Sequence, residues 1–116
     1  MNWLWLSAGT MTVTALLHSL FGERRLIVPL LAIDNELTQR PHVQKLIRLC
    51  WHFISVQMIL SAVVLLWPGT PPALIAITGG LWLFAGLCDA AVTRGKHIGW
   101  PFLSAAGIFA LLGAMN

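Results

Sequence analysis

The sequence predicts an all-α integral membrane protein, an antiparallel bundle of four helices, and three observations predict it. Of 116 residues 58% are apolar and 9% charged, with a mean hydropathy of +0.81, well outside the usage of water-soluble domains. Four apolar runs approach the ~20 residues that an α-helix needs to cross ~30 Å of hydrocarbon. Every Lys and Arg falls where alternating crossings would place it on one membrane face. A chain this short has much surface for its volume, and seven basic and four acidic residues are too few to keep that surface in water.

The first run, 2–21, opens without a basic residue and is followed by Arg24 and Arg25. That order is the reverse of a secretory signal, so the segment is expected to be retained. The second run is 46–67, the third 73–92 and the fourth, marginally short, 98–115. Backbone groups in lipid must bond within their own segment, and the alternating ten-residue pattern of a β-barrel is absent. The whole chain, 1–116, therefore reads as one transmembrane domain.

Tight turns separate the later runs: Pro68, Gly69, Thr70, Pro71 and Pro72 after the second, and Thr93 to His97 after the third. The connection 22–45 is longer and mixes Leu26, Ile27, Val28, Leu30 and Leu31 with charges, which suggests an interfacial helix broken at Pro29. Pro41 suits the first turn of an extended second helix. Arg24, Arg25, Arg40, Lys45, Arg48, Arg94 and Lys96 would share one face, leaving the face with both termini free of basic residues. The positive-inside rule then places both termini outside the cytoplasm. Trp3, Trp5 and Trp67 near one boundary and Trp51 and Trp100 near the other fit aromatic belts, with Trp82 inside. The charge of +3 serves topology, and no nucleic-acid partner is implied.

Ionisable side chains at membrane depth are costly and mark candidate sites. His18, His52, Asp89 and His97 lie at nearly one level, each within ~8 Å of the basic boundary at 1.5 Å per residue. Residues three or four apart share a helix face. Ser7, Thr10, Met11, Thr14 and His18 make a stripe on the first helix, and His52 continues with Ser55. Thr78, Trp82, Ala85 and Asp89 align on the third, while His97 aligns with Trp100 or Pro101 and Ser104 on the fourth. If the stripes face inward, His18, His52, Asp89 and His97 converge, and Glu23 can fold back to them.

Such a group offers metal ligands, His18, Glu23, His52, Asp89 and His97, suited to zinc, iron or copper. His18, Glu23, His52 and His97 equally read as a cofactor site, two facing imidazoles being able to hold a haem. Proton handling is a third use, and hydrogen-bonded ties between helices a fourth. HExxH and related metal signatures are absent, and no catalytic residue can be named. His42 reads as solvated. Cys50 and Cys88, without CxxC spacing, read as small apolar residues. Gln57 and Ser61, one turn apart, read as a helix contact. Ala106, Ala110 and Ala114, with Gly79, Gly86 and Ala90, let backbones approach. Four short helices barely enclose a cavity, so a homodimer or a larger membrane complex is a reasonable expectation.

His18-Ser19-Leu20-Phe21-Gly22-Glu23, the Ile27–Leu31 segment, Arg48-Leu49-Cys50-Trp51-His52 and Arg94-Gly95-Lys96-His97-Ile98-Gly99-Trp100 span most of the chain. They resemble a family of small bacterial four-helix membrane proteins with a His-Ser-x-x-Gly-Glu motif, a Trp-His pair and a Gly-Arg/Lys-His-x-x-Trp motif. The resemblance draws attention to His18, Glu23, His52 and His97 and names no reaction; Asp89 lies outside its pattern. The expected function is a small inner-membrane protein with a histidine and carboxylate site that binds a metal or other cofactor. A non-catalytic accessory or assembly subunit and a small-molecule carrier are the alternatives.

Overall fold

The computed structural model describes residues 2–116 and is all-helical, with four helices. Helix α1 (Trp3–Leu31) is an ordinary α-helix over Trp3–Gly22, widens into a π-helical turn over Glu23–Ile27 and returns to α over Val28–Leu31. Pro29 explains the widening. In an α-helix its ring would press on the carbonyl four residues back. Here the N–H of Val28 bonds instead to the carbonyl of Glu23, five residues back. The helix expected to end at Phe21, with a separate interfacial stub broken at Pro29, is therefore one continuous helix, and the true connection shrinks to 32–40.

That connection bonds to itself. The N–H of Leu37 donates to Asn35 Oδ1 (2.8 Å), Gln39 Nε2 donates to the Ile33 carbonyl (2.9 Å), and Gln44 Nε2 donates to the Thr38 carbonyl (2.8 Å). Helix α2 (Pro41–Leu66) starts with proline in its first turn, where a missing N–H removes no bond. Helix α3 (Pro72–Thr93) starts the same way and stops where Arg94 (φ 53°) and Gly95 (φ 74°) both turn left-handed. The Gly95 N–H then closes the end on the Ala90 carbonyl at 2.8 Å. Helix α4 (Gly99–Met115) completes the chain. α1, α2 and α3 are long and apolar enough to cross a membrane, while α4, at 17 residues, is shorter.

α1 packs on α2 and on α4, and α4 packs on α3, whereas α2 and α3 scarcely meet. The molecule measures 52 × 30 × 19 Å, its thin dimension about two helix diameters. Ala8 and Met11 of α1, Ala62 and Leu65 of α2, Ile75 and Trp82 of α3 and Ala106 and Ala110 of α4 form the core. Most buried positions hold small or hydroxylated residues, while Val13, Leu16, Leu20, Val56, Leu81 and Phe84 point outward. This distribution inverts that of a water-soluble fold, where large apolar side chains fill the interior.

Close backbone approach joins α3 to α4. A Cβ on Gly107 would collide with the backbone N of Leu83, one on Gly79 would come within 2.8 Å of Ala110 Cβ, and one on Gly86 would overlap Ser104 Oγ. Small residues gain van der Waals contact across such a seam that larger ones would prevent. α1 meets α4 through the Ser7 hydroxyl, which donates to the Ala106 carbonyl at 2.7 Å, and through stacked Trp3 and Phe109 rings.

Candidate functional site

The π-helical turn begins at Glu23, beside a continuous set of polar contacts between α1 and α2. His18 and Gly22 lie one turn apart on α1, and so do Ser19 and Glu23. On α2, Arg48, Trp51, His52 and Ser55 present one face to them. The Trp51 indole lies flat on the His18 imidazole, centroids 4.1 Å apart and planes 11° apart, and its Nε1 donates to the His18 carbonyl at 2.9 Å. Gly22 allows this, because a Cβ there would penetrate the indole. The spacing of His18, Ser19, Gly22 and Glu23 therefore has a steric and a hydrogen-bonding basis: positions 18 and 22 seat the indole, and 19 and 23 bond to His52.

The bonded series runs from Arg48 to His18. Arg48 Nε donates to Glu23 Oε1 at 2.6 Å, and Glu23 Oε2 lies 3.1 Å from His52 Nε2. His52 Nδ1 is 3.0 Å from Ser19 Oγ, which is 2.7 Å from Ser55 Oγ, which is 2.8 Å from His18 Nδ1. Ser55 is buried; Ser19, His18 and His52 are half-buried.

Its hydrogens define what this series can do. Its four contacts from Glu23 to His18 need four hydrogens, two hydroxyls supply one each, and an ionised carboxylate supplies none. With both imidazoles neutral, His18 Nδ1–H donates to Ser55, Ser55 to Ser19, Ser19 to His52 Nδ1, and His52 Nε2–H to Glu23. Add one proton at His18 Nε2 and reverse the hydroxyls, and His52 becomes the imidazolium: Nδ1–H donates to Ser19, Ser19 to Ser55, and Ser55 to His18 Nδ1. Both arrangements satisfy every contact, and they differ by one positive charge delivered beside Glu23.

Asp89 and His97 sit elsewhere, at the α3–α4 junction, and bond to each other: His97 Nδ1 is 2.6 Å from Asp89 Oδ2. Thr93 supports them, its hydroxyl donating to the Asp89 carbonyl (2.7 Å) and accepting from the His97 N–H (3.3 Å). His97 is more than half exposed. The expected convergence of His18, Glu23, His52, Asp89 and His97 on one point thus divides into two places. Among the described residues no group of three or more His, Cys, Asp or Glu side chains is arranged to hold a metal ion. Helical phase explains the division, since it sets which face carries a residue and leaves open which helix lies against that face.

Several participants escaped sequence reasoning. Ser19 and Ser55 link the imidazoles, Arg48 holds Glu23, and Trp51, expected in an aromatic belt, covers His18. A usable signal existed in the i, i+4 spacing of Ser19 with Glu23 and of Arg48 with His52. His42, Cys50 and Cys88 are exposed. Gln57, expected at a helix contact, is exposed, and Ser61 bonds only to its backbone carbonyl (3.0 Å). Comparison of the chain with protein-family models, curated proteins and solved structures finds no match.

Proposed function

We propose that this chain is a polytopic inner-membrane protein that relays a proton between His18 and His52 on the basic side of the bilayer. Its membrane placement draws support from the outward-facing apolar side chains and from three helices of sufficient length. An antiparallel arrangement of the four is supported by contacts whose numbers run in opposite senses: His18 with Ser55 and Glu23 with Arg48, Gly79 with Ala110 and Gly86 with Ser104. The positive-inside rule then puts both termini in the periplasm and the His52–Glu23 pair near the cytoplasm. The bacterial assignment rests on the motif resemblance.

The observation that carries the function is the unbroken hydrogen-bonded path from Glu23 to His18 with two self-consistent polarities. A proton bound at His18 Nε2 releases the Nδ1 proton to Ser55. Ser55 passes its own proton to Ser19, and Ser19 passes its proton to His52 Nδ1. No atom moves except hydrogen. Glu23 accepts from the resulting imidazolium, and Arg48 keeps Glu23 ionised and in place. Imidazole suits the task because it exchanges protons near neutral pH, and Trp51 fixes the ring that starts the path.

Nitrogen-15 NMR of histidine-labelled protein in nanodiscs tests this. The ring nitrogens of His18 and His52 are expected to report tautomers that change together. Ser19→Ala, at a half-buried position, should separate them into two independent transitions without unfolding α1–α2. Identical tautomer changes in wild type and Ser19→Ala would eliminate the relay and leave the histidines as interhelical ties of an accessory subunit.

A further inference from the structure

From the unpartnered amide of Gln57 we infer that a second copy of this chain docks on the exposed face of α2, with the two Gln57 side chains paired across a two-fold axis. The inference rests on the membrane placement proposed above. Gln57 follows Arg48 by nine residues and precedes Trp67 by ten, so it stands ~14–15 Å along the helix from either end of the apolar stretch. A glutamine at that depth cannot reach an interface by extending. Its amide is exposed and has no hydrogen-bond partner among the described residues, and the Ser61 hydroxyl one turn away bonds to the Gln57 backbone instead.

Lipid tails can cover Ile54, Leu60, Val63 and Leu81 without loss, so these outward residues say nothing about a protein partner. A primary amide is different, since hydrocarbon offers neither donor nor acceptor and leaves both its groups unsatisfied. The α3 wall across the neighbouring groove, a cavity of about 230 Å³, is apolar at Leu81 and Ala85 and does not bond to it. α2 and α3 scarcely touch along their length, which leaves this side of α2 open to another helix. An amide carries a donor and an acceptor in one plane and is its own complement. A two-fold axis brings each N–H₂ to the other C=O, two bonds from one residue type. A partner of any other sequence would need a matching polar residue at the same depth.

The test places a single cysteine at Ser61 in a chain with Cys50→Ala and Cys88→Ala, because both native cysteines are exposed. Full-length protein is reconstituted in phosphatidylcholine vesicles, checked for resistance to alkaline carbonate extraction, oxidised, and its subunit association followed by dilution into excess lipid. The expected result is a disulfide-linked species of two copies of the 12.7 kDa chain, with association weakened roughly tenfold by Gln57→Leu and largely restored by Gln57→Asn. Cross-linking and dilution behaviour unchanged by Gln57→Leu would overturn the proposal, as would a monomer at every lipid ratio. Release by carbonate would overturn the membrane placement and this pairing together, whereas carbonate-resistant monomer overturns the pairing alone.

Discussion

The α1–α2 and α3–α4 contacts hold helices of similar apolar character by opposite means. α3 and α4 meet backbone to backbone, through Gly79, Gly86 and Gly107, with few polar atoms involved. α1 and α2 meet side chain to side chain, through two imidazoles, two hydroxyls, a carboxylate, a guanidinium and an indole. The glycine seam depends on shape and tolerates no added volume. The polar seam depends on donors and acceptors, so it responds to protonation. The proposed relay lies in the polar seam for that reason.

Five substitutions, one of them a control, separate these two means of adhesion, beginning with the most damaging. Gly107→Leu drives a side chain into the Leu83 backbone and is expected to cost about 3 kcal/mol or more in detergent unfolding titrations. Gly80→Leu, whose Cβ meets nothing within 4 Å, should change little. Gly22→Ala meets the Trp51 indole rather than backbone, and a ring can shift. Its expected cost is roughly 1–2 kcal/mol, accompanied by a change in tryptophan fluorescence as the stack on His18 opens. Trp51→Phe keeps an aromatic face and removes the bond to the His18 carbonyl, for about 1 kcal/mol. Asp89→Asn alters a pair whose histidine is more than half exposed, and less than ~0.5 kcal/mol should be lost. If it proved as costly as Gly22→Ala, the α3–α4 junction would be a second polar anchor and the contrast between the seams would fall.

Much of the local structure was legible before any coordinates. Apolar runs of bilayer length announce helices because a backbone without water must bond along its own segment. Pro41 marks a helix start because a first-turn N–H has no partner to lose, whereas Pro72, read as part of the preceding turn, proves to open α3 in the same way. The extension of α1 past Gly22 was not legible. Pro29 reads as a breaker, and only the switch of the Val28 N–H to the Glu23 carbonyl lets the helix pass it. The contact of Trp51 with His18 was not legible for a related reason. The place of Trp51 near a helix end fits a lipid boundary, and nothing in its own segment reveals the gap that Gly22 leaves on α1.

The candidate site divides along the same line. Sequence by itself determined that the chain is helical and apolar, because rise per residue and face periodicity are local properties. Tertiary structure alone decided that His52 joins Glu23 and Ser19 while His97 takes Asp89. That choice depends on which faces fit. The glycines of α3 let α4 come close, and the notch at Gly22 seats the Trp51 indole. Complementarity between two surfaces is a property of the pair, and neither segment states it alone.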